Sequence, residues 1–135
     1  MTAPRAAVAD THALIFHALA SRRLGRRAAL HFAATEAREA VTYVPAAVVW
    51  EITLLARAGR IHLRRTAREF FDDLFSNPAY QPLDLTLEQV LLADELPPSD
   101  DPFDALIVAA ARQLDLPLLT RDAAITESGI VATTW

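Results

Sequence analysis

Apolar residues follow two rhythms along this chain of 135 residues. Short unbroken runs mark buried strands, and longer stretches with apolar positions three and four apart mark helices. Ala6-Ala7-Val8-Ala9 is the first such run, and it ends at Asp10. Residues 12–20 and about 23–39 have helical composition. Val41-Thr42-Tyr43-Val44 is β-branched and aromatic and predicts a second strand, closed by Pro45. Spacing over 46–58 is helical again, and Gly59 stands where a left-handed C-terminal cap belongs.

The stretch from Thr66 to about Ser76 predicts another helix, broken by Asn77-Pro78 before a short strand over Tyr80–Leu83. Thr86-Leu87-Glu88-Gln89 fits a capping box opening a helix to about Asp94, with Pro97-Pro98 as its end. Asp101-Pro102 pairs an N-cap with a proline at the first helical position, and that helix runs to Leu114. Pro117–Thr120 predicts a short buried strand; a helical turn and a last strand, Ile130–Thr133, follow. Strands alternating with helices imply an α/β fold with a parallel sheet covered on both faces. One domain over residues 1–135 is expected at this length. Ligands of open sheets bind beyond the carboxyl ends of the strands, so the residues following each strand matter most.

Those residues are acidic. Asp10 ends the first strand, and Asp122 lies just past Leu119. Asp104 sits in the first turn of the helix leading to that strand, and Glu51 lies one and a half turns into the helix after the second. Each of the three aspartates also suits a local role. Asp104 favours the helix dipole beside an Asp101 cap, Asp122 suits a turn or N-cap, and Asp10 suits a cap before Thr11-His12. Glu51 differs, because positions 47, 48, 54 and 55 share its helical face and none is basic. An ionised carboxylate on such an apolar face is unfavourable unless paired or bound to a metal.

Converging carboxylates raise one another's pKa, and a compact cluster is tolerable chiefly around a cation. Cysteine is absent, which removes disulfides, thiolate zinc sites and a cysteine nucleophile. His12, His17, His31 and His62 lack metal-ligand spacing, although His12 adjoins Asp10. All-oxygen ligation selects Mg²⁺ or Mn²⁺. Such an ion keeps waters that serve as nucleophile and offsets charge growing on a phosphoryl group, so the implied chemistry is phosphodiester hydrolysis. The three glycines form no phosphate-cradling loop, and no serine has a nucleophile-elbow context. Thr120 carries a hydroxyl beside Asp122, which suits either a strand end or a contact to water or phosphate.

Composition narrows this only a little. With 53% hydrophobic and 22% charged residues, the chain can build a core. No apolar run reaches the roughly 20 residues that span a bilayer. Met1-Thr2-Ala3-Pro4-Arg5 lacks signal-peptide regions, so a cytoplasmic protein with no membrane partner is expected. Net charge is −4, yet all 13 basic residues are Arg, nine of them in the clusters 22–27 and 57–68. Arg22, Arg23, Arg57 and Arg60, with Arg121 beside Asp122, are candidate contacts to a phosphate backbone; solvated helix faces are the alternative.

Four segments, in order, resemble the VapC-type PIN-domain toxins. Val8-Ala9-Asp10-Thr11-His12-Ala13-Leu14 resembles their opening strand and first acid, and Val48-Val49-Trp50-Glu51-Ile52 their second-acid helix. Asp101-Pro102-Phe103-Asp104-Ala105-Leu106-Ile107 is the closest match, with Asp104 as third acid; Pro117-Leu118-Leu119-Thr120-Arg121-Asp122 matches the fourth. The resemblance implies a three-layer fold with strand order 3-2-1-4-5 and Mg²⁺ or Mn²⁺ held by Asp10, Glu51, Asp104 and Asp122. It also implies a homodimer, cleavage of RNA (often tRNA or rRNA) and a VapB-type antitoxin partner. Thr11, Thr120 and Asp101 would be accessory, Asp101 mainly as a cap. The antitoxin groove is expected between 46–58 and 66–76, faces that a core or a second subunit would equally cover. Ala105 departs from the pattern, since many relatives carry Arg there. The rivals are a PIN-like binding module without turnover, a housekeeping nuclease and, far behind, a phosphoacceptor domain, which would want a lysine that this chain lacks.

Overall fold

The computed structural model describes residues 5–96 and 100–135. Among them, β1 (Arg5–Ala9), β2 (Ala40–Pro45), β3 (Tyr80–Leu83), β4 (Leu118–Leu119) and β5 (Thr133–Thr134) form one sheet. All pairings are parallel, in the order β3-β2-β1-β4-β5. The helices α1 (Thr11–Ala18), α2 (Arg26–Glu36), α3 (Ala46–Arg57), α4 (Ala67–Phe75), α5 (Leu87–Glu95), α6 (Pro102–Leu114) and α7 (Ala123–Ser128) complete a three-layer α/β fold.

Central β1 pairs on both sides, Val8 opposite Tyr43 and opposite Leu118. A strand covered on both faces must be apolar throughout, and Ala7, Val8 and Ala9 are buried. Val44, Leu118 and Leu119 join them from the sheet, with Leu14, Phe32, Val48, Ile52 and Ile107 from the helices. Each such large side chain contributes about 1.5–3 kcal/mol when withdrawn from water. Small residues let α6 lie close, since Ala109, Ala110 and Ala111 are all buried.

Caps set the helix starts. Asp101 Oδ1 accepts from the backbone N–H groups of Phe103 (2.8 Å) and Asp104 (3.4 Å), with Pro102 at the first helical position, as the sequence predicts. A full capping box lies elsewhere than expected, at Thr66 and Glu69 of α4. At α5 only half of one forms. Thr86 accepts from the Gln89 N–H at 3.1 Å, but the buried Gln89 amide donates to the Asp84 carbonyl at 3.1 Å instead of returning to Thr86. Pro97 and Pro98, predicted as its end, lie outside the described residues. The last strand is also displaced from the predicted 130–133. Gly129 is left-handed (φ 68°), and Ile130-Val131 are the apolar approach that packs on the core, while Thr133–Thr134 pair with β4. Among the described residues no helix is long and apolar enough to cross a membrane.

Candidate active site

The chain winds from β1 outward to β3, then crosses back to β4 and β5, so the winding reverses between β1 and β4. Helices there diverge and leave a crevice, the usual ligand site of open α/β sheets. Asp10 follows β1 and Thr120 follows β4 at this point. Both oxygens of the buried Asp10 carboxylate are engaged: Oδ1 accepts from the Thr11 N–H and Oδ2 from the Thr120 hydroxyl, each at 2.7 Å. Thr120 Oγ1 in turn accepts from the Asp122 N–H at 3.1 Å, folding the turn back toward Asp10. Asp122 then caps α7, accepting from Ile125 N–H at 3.0 Å.

The other two acids come from α3 and α6. Glu51 is half-buried, and its partner is the Thr11 hydroxyl, which donates to Glu51 Oε1 across the α1–α3 contact. Asp104 sits in the first turn of α6. With Asp101, His12, Arg121 and Trp135, the four acids line one cleft of about 550 Å³.

Electrostatics measures their convergence. Burial pushes the Asp104 carboxyl from 3.8 up to about 7, and the charges of Asp101, Asp10, Asp122 and Glu51 add to the rise. A helix N-terminus alone would act the other way, but it is worth well under one pKa unit here. Repulsion and desolvation win. Asp10 is raised by burial despite its two donors, and Glu51 is raised mainly by burial despite Thr11. The lining thus sets five carboxyl groups (Asp10, Glu51, Asp101, Asp104 and Asp122) against one arginine, Arg121, and His12. Oxygen-only donors in excess of positive charge fit a hard divalent cation. Among the described residues, no three His, Asp or Glu side chains close directly around a single ion position.

The remaining predicted residues divide. Thr11, Asp101 and Thr120 all reach the four acids through the bonds or the cleft just described. Arg121 lies at the cleft with its guanidinium 5.0 Å from the Phe16 ring centre. Arg23 and Arg60 line a neighbouring groove, and Arg22 is exposed on the α1–α2 loop. Arg57 lies over the Trp50 ring (5.5 Å), which lines a different groove.

Of two further cleft residues, one had no signal in the sequence and the other a slight one. Trp135 stands edge-on to Phe16 (6.2 Å between centroids) and forms one wall. It fits only because residue 25 is glycine: a Cβ there would lie 2.5 Å from the Trp135 carbonyl carbon and from its indole Cδ1. Gly25 has an ordinary φ of −65°, so close approach and not torsion demands it. His12 was visible only as the neighbour of Asp10; it lines the cleft, and its charge would favour ionised Asp10 and Glu51.

Comparison with known families agrees with this arrangement. The sequence model of the PIN domain family matches residues 7–129. The chain belongs to the PIN-domain family. Its members are generally nucleases. No curated protein matches the chain in sequence. Solved structures share the PIN fold at low identity. The VapBC2 complex of Rickettsia felis, bound to a fragment of its promoter DNA, matches with a TM-score of 0.66 at 12% identity, covering 96% of this chain and 97% of that one. FitAcB of Neisseria gonorrhoeae gives 0.64 at 18% identity, covering 95% and 96%. A toxin–antitoxin complex from Klebsiella pneumoniae gives 0.59 at 19% identity, covering 96% of each.

Proposed function

We propose that this PIN domain is a Mg²⁺- or Mn²⁺-dependent endoribonuclease and the toxin of a toxin–antitoxin pair. The carrying observation is the shared acidic cleft at the winding reversal, where burial and four neighbouring acids push Asp104 up to about 7. Asp10, Glu51, Asp104 and Asp122 would hold the ion, in part through water, as Mg²⁺ is commonly held. When bound, the ion supplies a Lewis acid for charge developing on a phosphoryl oxygen and an acidified water. Thr11 and Thr120 orient Glu51 and Asp10 by donating to them. Asp101 fixes the first turn of α6 and so the position of Asp104. Arg121, at the edge of the same cleft, counters the charge of an incoming phosphate.

The partners follow the same reading: tRNA or rRNA as substrate, a VapB-type antitoxin, and a second copy of the chain, all in the cytoplasm. Toxin–antitoxin complexes among the structures of the same fold support the antitoxin. Val49 and Trp50 of α3 and Phe75 of α4 border an apolar groove suited to an antitoxin segment. Exposed Leu85, Leu87, Val90 and Leu91 supply apolar surface for a homodimer.

The test is cleavage of structured RNA with Mg²⁺ or Mn²⁺, comparing wild type with Asp10→Asn and Asp104→Asn. Turnover should vanish in EDTA and in both variants. Cleavage that persists in either case overturns the reading, and ion binding without turnover would leave a binding module.

A further inference from the structure

Two arginines from separate clusters, far apart in sequence, come together beside the acidic cleft. Arg23, from the α1–α2 loop, and Arg60, just past α3, line one groove of about 390 Å³. Leu19 and Leu55 contribute apolar surface. His12 belongs to both cavities, and Phe16 lines the groove while carrying Arg121 of the cleft over its ring. The groove and cleft therefore adjoin at His12.

Charge identifies the occupant. No Asp or Glu lines the groove, and among the described residues neither guanidinium has a carboxylate within salt-bridge distance. Unpaired, exposed guanidinium groups bind phosphate in bidentate fashion. His12, exposed at the junction, offers its ring to an unpaired base, and base stacking on aromatic rings tolerates any sequence. A volume near 390 Å³ is that of a small-ligand pocket, the scale of one nucleotide.

We infer that the Arg23–Arg60 groove binds the RNA strand immediately flanking the phosphodiester held at the acidic cleft, taking a single-stranded nucleotide and its phosphate. This rests on the ribonuclease reading of the cleft and adds to it a subsite. The substrate is thereby a strand that is unpaired next to the cut, because a base held in a duplex cannot turn toward the His12 ring.

The test is fluorescence anisotropy with a labelled single-stranded RNA of about 12 nucleotides in EDTA. It compares wild type, Arg23→Ala/Arg60→Ala, Arg23→Lys/Arg60→Lys, and the charge-matched control Arg26→Ala/Arg68→Ala, whose positions lie outside the groove. The groove alanines should weaken binding at least about tenfold and flatten the salt dependence by about 1.4 log units per log unit, two contacts at about 0.7 each. The lysine pair should keep most of the affinity, and the control should change it less than about threefold. Equal loss in both alanine pairs, no loss in the groove pair (as for a groove that takes a protein partner), or no RNA binding by wild type would overturn the inference. Cleavage with Mn²⁺ is scored separately, so a chain that binds through the groove yet never cuts sinks the ribonuclease reading alone.

Discussion

The two ends of the sheet handle their polar groups in opposite ways. Where the strands begin, Glu36 at the end of α2 accepts from the Tyr80 hydroxyl at 2.9 Å and lies 3.0 Å from His17 Nε2. Tyr80 and His17 are themselves 3.1 Å apart, and the His17 ring stacks on Phe32 at 4.4 Å. One carboxylate thus has two partners, and the cluster ties α1, α2 and β3 together. Where β1 and β4 end, four acids and the Asp101 cap share one cleft with few donors, and the charge there exceeds its compensation. A charge-balanced cluster serves the fold, whereas a crowd of carboxyl groups stores repulsion that a proton or a bound cation relieves. Stability and function should therefore separate between the two ends.

The largest effect should come from Asp104→Asn. RNA cleavage is expected to fall at least about a hundredfold. In EDTA at pH 8, however, this variant should melt above wild type, because a repelled carboxylate has gone. Thr120→Val removes the hydroxyl that donates to Asp10 and accepts from the Asp122 N–H. Loss of such a positioning group should lower cleavage about 10- to 100-fold, read as kcat/KM in Mn²⁺.

Gly25→Ala should cost about 1–3 kcal/mol by driving a methyl into Trp135, seen as a lower urea midpoint at unchanged slope. At the other end, Tyr80→Phe removes one of the two partners of Glu36 and should cost about 1 kcal/mol, a melting shift of a few degrees, with cleavage unaltered.

Metal-free stability should depend on pH with a definite sign. Asp104 titrates at 3.8 ordinarily and near 7 in the fold, so between these values the folded chain holds a proton that the unfolded chain has released. The Asp104 contribution to stability then falls as pH rises from about 4 to about 7 and is level above; Asp10 and Glu51 act in the same direction, whereas His31, whose pKa burial lowers, acts in the opposite one. Denaturation of wild type and Asp104→Asn in EDTA at pH 5 and pH 8 isolates the Asp104 part as the difference between the two proteins. If wild type does not lose stability relative to Asp104→Asn over that interval, burial and the neighbouring charges do not raise Asp104 as described.

Much of this was legible from local pattern. Strands covered on both faces must be unbroken apolar runs, and Ala7-Val8-Ala9 and Leu118-Leu119 are such runs. Asp101-Pro102 announces its helix through backbone chemistry alone. The four acids stood out because each follows a strand or opens a helix pointing at the same end of the sheet. Tertiary choices were not legible. The buried Gln89 amide donates to the Asp84 carbonyl and not back to Thr86, and Ile130-Val131 look like a strand but serve as core. The Thr11–Glu51 and Thr120–Asp10 bonds join residues 40 and 110 positions apart, so neither has a local signature. Gly25 carries no torsional signal, since its need arises only from Trp135.

The central claim is that these acids form one divalent-ion site, and Mn²⁺ titration at pH 7.5, followed by the electron paramagnetic resonance signal of the free ion, tests it most directly. Wild-type protein should remove at least one Mn²⁺ per chain from the free signal, and Asp10→Asn/Asp104→Asn should remove almost none. Undiminished free Mn²⁺ with wild type, or equal uptake by the double variant, would contradict it.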